Sequence, residues 1–197
     1  MKTNQSMDLP SLNTRWDARY PTEDPEIWKH PSRFLVERIG AIPVGRALDV
    51  ACGPARNAVF LAQRGFVVDG IDNSRAGLMM ARRFMDEAGA SVNLIFADID
   101  RYVIRPRTYD LVVNLFYLNR KIIPDLIRGL KDGGYLIFES FTIDTFRFMP
   151  GKDPSHYLDS NELLELVRGM RVISYNEGTI IEAGMARATS RLLARKE

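Results

Sequence analysis

Residues 47–72 read ALDVACGPARNAVFLAQRGFVVDGID, and this stretch sets the expected fold. Ala47–Val50 is a short apolar run, as a strand buried on both faces would be. Cys52-Gly53-Pro54 supplies a tight turn. Ala58 to Arg64 carries helical spacing and is closed by Gly65, after which Phe66–Ile71 forms a second apolar run. Strand, turn, helix and strand in this order make a βαβ unit with parallel strands and a right-handed crossover.

The rhythm continues toward the C-terminus. Ser74 is placed to cap a helix whose apolar residues Leu78, Met79, Phe84 and Met85 recur at helical spacing. Val92–Ala97 and Tyr109–Leu115 read as strands. A helix over Pro124–Leu130 is broken by Asp132-Gly133-Gly134 before a strand at Tyr135–Ser140. A helix over Asn161–Arg168 follows, with Ser160 as its N-cap and Glu162 in its first turn. Arg171–Tyr175 and Ala186–Ala194 then read as strands joined through Asn176-Glu177-Gly178. No helix fits between them, so they pair antiparallel. The expected class is α/β: a doubly wound, mainly parallel seven-stranded sheet with a C-terminal antiparallel hairpin.

Upstream, the first residues are polar and punctuated by Pro10, Pro21, Pro25 and Pro31, as in an arm lying over a core. His30-Pro31-Ser32 opens a short helix through Ile39, with Phe34, Leu35 and Ile39 facing inward. The expected division is an arm and lid helix over 1–40 and a single domain over 41–197.

Bulk properties narrow the function classes. A chain of 197 residues, 46% hydrophobic and 26% charged, has the composition of an ordinary globular domain. Cys52 is the only cysteine, which fits a reducing compartment, and with His30 and His156 alone beside it no Cys/His metal centre is expected. The net charge of +2, from 27 basic and 25 acidic residues, gives no electrostatic case for nucleic acid or membrane. Neither a signal-peptide pattern nor a run of ~20 apolar residues is present, so a cytoplasmic location is expected.

Three acids carry the chemistry. Asp49 lies in the first strand's end, Asp72 ends the second strand, and Asp98 follows the third in FADID. In a doubly wound sheet, ligands bind off the carboxyl ends of the strands near the switch in strand order. Small residues at Ala51, Gly53 and Ala55 let a ligand approach the backbone. Asp72 is placed to accept from ribose hydroxyls. A dinucleotide would want G-x-G-x-x-G and no carboxylate beside its pyrophosphate. Only Gly53 of those glycines is present, and Asp49 repels a pyrophosphate while suiting an amine or sulfonium. S-adenosylmethionine fits better than NAD.

This stretch resembles the first motif of class I S-adenosylmethionine-dependent methyltransferases. Together with WDARY, FYLNR, GGYLIFESF and NELLEL, it resembles the tellurite-resistance-type group of small methyltransferases, from Trp16 to the last strand. The resemblance implies a Rossmann-like methyltransferase fold and S-adenosyl-L-methionine as cofactor. It places Asp49, Ala51, Gly53, Arg56 and Asn57 on the methionine half, Asp72 and Asn73 on the ribose, Asp98 and Ile99 on the adenine, and Asn114 with Leu115 on the far wall. Ala51 and Ala55 stand where the family has glycine, and Ala55 is expected to crowd the turn.

Other residues admit blander readings. Cys52 is expected to fill the turn rather than act as a nucleophile, having no histidine in its motif. Asn114-Leu115-Phe116-Tyr117 has the N-x-x-Y spacing of base methyltransferases but lacks the prolines that shape a slot for a flipped base. Phe116 and Tyr117 instead border the sulfonium or the acceptor, or pack in the core. His30 and His156 are the candidate neutral-pH bases. His156 lies in the long connection FTIDTFRFMPGKDPSHYLD, whose Phe141, Phe146, Phe148 and Tyr157 suit a lid. Trp16 and Tyr20 would close the pocket from the arm or pack on the surface. Arg105-Pro106-Arg107 reads as a solvated turn.

The expected function is in-line methyl transfer to a small-molecule acceptor, with His156 and Tyr117 as catalytic candidates and Tyr20, His30, Tyr117 and His156 as substrate candidates. Positioning alone supplies roughly 7–11 kcal/mol in such a reaction. The alternatives are a non-catalytic cofactor-binding module and a nucleic-acid N-methyltransferase.

Overall fold

In the computed structural model, which describes residues 14–147, 153–182 and 185–197, seven strands form one sheet in the order β3-β2-β1-β4-β5-β7-β6. The strands are β1 (Arg46–Val50), β2 (Val67–Asp72), β3 (Val92–Phe96), β4 (Tyr109–Leu115), β5 (Leu130–Phe141), β6 (Arg171–Glu182) and β7 (Met185–Arg195). The first five run parallel, and β7 pairs antiparallel with both β5 and β6. The expected α/β sheet with a terminal hairpin is therefore observed. The order switches between β1 and β4, where Val50 pairs with Asn114.

Side chains alternate along the strands and split the core into two layers. Ile137 packs with Phe34 and Leu35 of α2 (Arg33–Arg38), Leu61 of α3 (Arg56–Ala62) and Leu78 of α4 (Arg75–Ala88). Leu136 and Phe138 face the other way, toward Ile123 and Leu126 of α5 (Ile123–Gly129) and Leu163 of α6 (Glu162–Leu166). Ser74 caps α4 as expected, its hydroxyl accepting from Gly77 N at 3.1 Å.

Several boundaries differ from expectation for local reasons. The helix after β1 starts at Arg56 rather than Ala58, because Ala55 is left-handed (φ 61°) and the helix begins directly after it. Asp132-Gly133-Gly134 does not break the chain before a strand but lies in an irregularity within β5, opposite Tyr109–Leu111. Ser160 does not cap α6. Asn161, at φ 62°, precedes that helix, and Glu162 turns back to accept from Asp159 N at 2.8 Å. Asn176-Glu177-Gly178 is not a connection but the middle of β6, where the Tyr175 hydroxyl donates to Glu177 at 2.6 Å.

The N-terminal arm is folded onto the domain. Helix α1 (Thr14–Arg19) runs into 3₁₀ turns at Tyr20–Thr22 and Pro25–Trp28, and Ser32 precedes α2. Trp16 stacks on Tyr20 with ring centres 5.3 Å apart, and Trp28 meets both edge-on. No helix among the described residues is long and apolar enough to cross a membrane.

Phe138 is fully buried between β4, β7 and the α5 layer, whereas Val67 is 63% exposed. Phe138→Ala is expected to cost about 3–5 kcal/mol and to lower the melting temperature by on the order of 10 °C. Val67→Ala should stay within about 0.5 kcal/mol of the parent in the same denaturation experiment.

Candidate functional site

Beyond Val50 the chain turns sharply, with positive φ at Ala51 (53°), Gly53 (53°) and Ala55 (61°). For alanine this conformation costs roughly 1–2 kcal/mol per residue. The turn is held by Cys52 N donating to Ile71 O at 3.0 Å and Ala55 N donating to Cys52 O at 2.8 Å. The methyl of Ala55 is fully buried in the apolar cluster, so the departure from glycine appears as backbone strain and core packing.

Asp49 is buried at this turn. The Ala58 amide donates to it, while its Oδ2 is sealed from solvent without a hydrogen-bond partner. Burial pushes its pKa up to about 7; the amide and Arg56 pull the other way, and Asp72 adds to the rise. Asp72 accepts from Gly53 N and Ser74 N, each at 2.7 Å, and burial raises its pKa too. Asp98 follows β3, partly exposed, with Asp100 N donating to Oδ1 at 3.1 Å and Arg101 3.5 Å from Oδ2. The three acids thus occupy the carboxyl ends of adjacent strands. Carboxylates offer only acceptors, and the unmatched oxygen of Asp49 calls for a donor or a cation.

The remaining candidates divide. Ile99 and Leu115 are buried beside the same edge, and Asn73 is half-buried. Asn114 donates to Tyr117 O at 2.8 Å, leaving its own Oδ1 buried and unpartnered. Arg56 lines a cavity of ≈ 210 Å³ with Lys29, Phe84 and Glu87, while still acting on the charge of Asp49. Asn57 differs from expectation: its Oδ1 accepts from Ser32 N at 2.9 Å, tying α3 to the start of α2. Cys52 is buried against Gly70, and burial together with Asp49 and Asp72 drives its thiol pKa well up, as suits a turn-filling residue.

His30 and His156, read as candidate bases, are both exposed. Tyr117 donates to Asp100 at 3.1 Å; burial and that neighbour push its pKa up to about 12. Arg105, Pro106 and Arg107 are exposed, with Arg107 3.4 Å from Asp132, as a solvated turn would be. Phe148 lies outside the described residues.

Across the switch point the edge is aromatic. Phe116 takes φ 61° and packs 5.0 Å from Phe141, which leads to Tyr157 and Phe146. Arg120 ties down the segment around Tyr157 by donating to Ser155 O and Tyr157 O, each at 2.8 Å, and by pairing with Glu162. A second brace is buried: Glu139 accepts from Arg191 at 2.7 Å and from the Ser32 hydroxyl at 3.2 Å. Sequence reading missed both braces, because partners separated by 42 and 107 positions leave no local pattern.

Comparison with known proteins agrees with the geometry. Residues 47–134 match the family described as "Methyltransferase domain". A probable S-adenosyl-L-methionine-dependent methyltransferase, TehB of Haemophilus influenzae, is 27% identical over 152 residues, covering 73% of this chain and 52% of that protein. Trans-aconitate 2-methyltransferase of Delftia acidovorans is 31% identical over 120 residues, covering 55% and 42%. The chain thus spans about half the length of the curated relatives it matches. The crystal structure of TehB from H. influenzae shares the fold, with a TM-score of 0.72 at 22% identity over 83% of this chain and 61% of that one. The resemblance read from the sequence is borne out.

Since the folded state holds the Asp49 proton more tightly than the unfolded chain, this group's contribution to stability is full below about pH 4 and lost as pH rises toward 7. Asp49→Asn is therefore expected to be more stable than the parent at pH 8, by on the order of 4 kcal/mol, with the gap narrowing toward pH 5. Chemical denaturation at both pH values checks this; a gap independent of pH contradicts it.

Proposed function

We propose that this chain, which has the fold of class I methyltransferases, is one of them and transfers a methyl group from S-adenosyl-L-methionine to a small-molecule acceptor. One observation carries the reading: a buried carboxylate with an unmatched oxygen, Asp49, beside Asp72 and Asp98 on one sheet edge. A pyrophosphate would be repelled there, whereas a cationic nucleoside is attracted.

The residues divide the work. Asp49 faces the cofactor's positive charge, and Ala51 and Gly53 let the cofactor lie close to the backbone. Asp72 takes the ribose, its carboxylate held in place by the Gly53 and Ser74 amides. Asn73 flanks it. Asp98 and Ile99 take the adenine, while Asn114 and Leu115 close the far wall. Arg56 favours the ionised form of Asp49 against the effect of burial. Asn57 acts at one remove, through Ser32, by fixing α2 over the edge.

The sulfonium supplies a methyl already activated by its own charge, so the chain's task is to orient the acceptor and exclude water. The acceptor is assigned to the aromatic side of the switch point, at Phe116, Phe141 and Tyr157. A relative named for trans-aconitate supports a small molecule there. Tyr117, with its raised pKa, stays protonated near neutrality and suits orientation rather than proton abstraction. Residues 1–40 serve as the arm and lid, and 41–197 as the transferase domain.

Thermal-shift titration tests the reading. At a hundredfold excess over Kd, S-adenosylmethionine or its demethylated product should stabilise the protein by about 2.7 kcal/mol, a rise of roughly 5–10 °C. Asp72→Ala should abolish the response, and a labelled methyl should pass to a member of an acceptor panel of thiols, amines and small carboxylates. A response to NAD with none to either adenosyl compound would overturn it.

A further inference from the structure

The N-terminal arm docks on the same turn and acid that the proposed cofactor would use. Asp17 Oδ1 accepts from the Ser74 hydroxyl at 2.6 Å and from Ala76 N at 2.9 Å, so an arm residue completes the start of the 14-residue helix α4. Ser74 is fully buried, and its amide donates to Asp72 at 2.7 Å. One serine therefore joins the arm's carboxylate to the ribose acid.

Tyr20 completes the contact and is itself buried. A Cβ at Gly53 would collide with its hydroxyl. One at Gly77 would stand 2.9 Å from its ring and 3.3 Å from the backbone of Gly53. These two glycines thus form a seat for Tyr20, a role for Gly53 beyond ligand approach. Trp16 stacks on one side of the tyrosine, Trp28 meets it edge-on at 5.1 Å, and Arg19 lies 4.8 Å from the Trp16 ring centre. Burial, with Asp72 and Cys52 next in effect, raises the Tyr20 pKa far above neutrality, so its hydroxyl remains a neutral donor near Asp72.

We propose that the arm is a wall of the cofactor site: Tyr20 contacts the cofactor beside Asp72, and Asp17 is a positioning residue that sets Asp72 through Ser74. The proposal rests on the cofactor reading above. Arm docking and cofactor binding then become one coupled equilibrium, each favouring the other. A plug, the competing arrangement, would couple them with the opposite sign.

The sequence provides its own reporter. The protein has two tryptophans, Trp16 and Trp28, and both belong to the arm, so tryptophan emission reports arm docking. The full chain is titrated with S-adenosylhomocysteine by calorimetry and by tryptophan fluorescence. In the parent, binding should be accompanied by a change in emission. Tyr20→Phe, which keeps the ring on its seat, should weaken binding by about fivefold. Asp17→Ala should weaken it by a similar factor and blunt the emission change. Asp17→Asn, which keeps the accepting oxygen, should recover most of both, a rescue that a general loss of stability would not show.

Binding to the parent with unchanged affinity in Tyr20→Phe and Asp17→Ala overturns the arm proposal and leaves the cofactor reading standing. Tighter binding in those variants does the same and identifies the arm as a plug. No binding to the parent overturns both.

Discussion

A carboxylate closed into the end of a central parallel strand, with one of its two oxygens unmatched, is costly, and the surrounding structure is arranged around that cost. Asp49 sits in β1, flanked by β2 and β4, and its burial shifts its proton affinity rather than being relieved by a full set of donors. The strained turn at Ala51 and Ala55 keeps the chain tight against it. Backbone strain and an unsatisfied buried charge are two penalties that a fold retains where a ligand repays them.

The strand order turns this local feature into a site. Because the strand order reverses between β1 and β4, the crossovers on the two sides lie on opposite faces of the sheet. Acids occupy the β1–β3 side and aromatic rings the β4–β5 side. Long-range polar contacts tie distant segments together: Asn57 to Ser32, Ser32 to Glu139 with Arg191, and Arg120 to Tyr157. Each pairs a charged or amide group with a partner distant in sequence, adding polar contacts to the apolar packing of the two layers.

Features governed by local chemistry were legible in the sequence. The strand over Tyr109–Leu115 was read to the residue, and Ser74 caps α4 as its residue type suggests. The three acids could be placed because a parallel α/β sheet puts successive strand ends on one edge. What escaped depended on contacts distant along the chain. Asn57 looked like a ligand residue by position, yet it serves the backbone of Ser32, 25 positions away. Gly133-Gly134 looked like a stop but lies within a continuous strand held by pairing with β4 and β7. The hairpin strands run to 12 and 11 residues because pairing across β7 carries β6 through Asn176-Glu177-Gly178, a stretch whose composition alone suggests a turn. The histidines stood out only through scarcity, and both lie exposed.

Proton release on cofactor binding probes the centre of this account. Calorimetric titration with S-adenosylmethionine at pH 6.5, in buffers of different ionisation enthalpy, counts the protons leaving the complex. A cation seated against Asp49 should expel most of one proton, roughly three quarters, from a carboxyl whose pKa is about 7, and Asp49→Asn should release none. Binding by the parent with no proton exchanged would show that the positive charge sits elsewhere and would contradict the account.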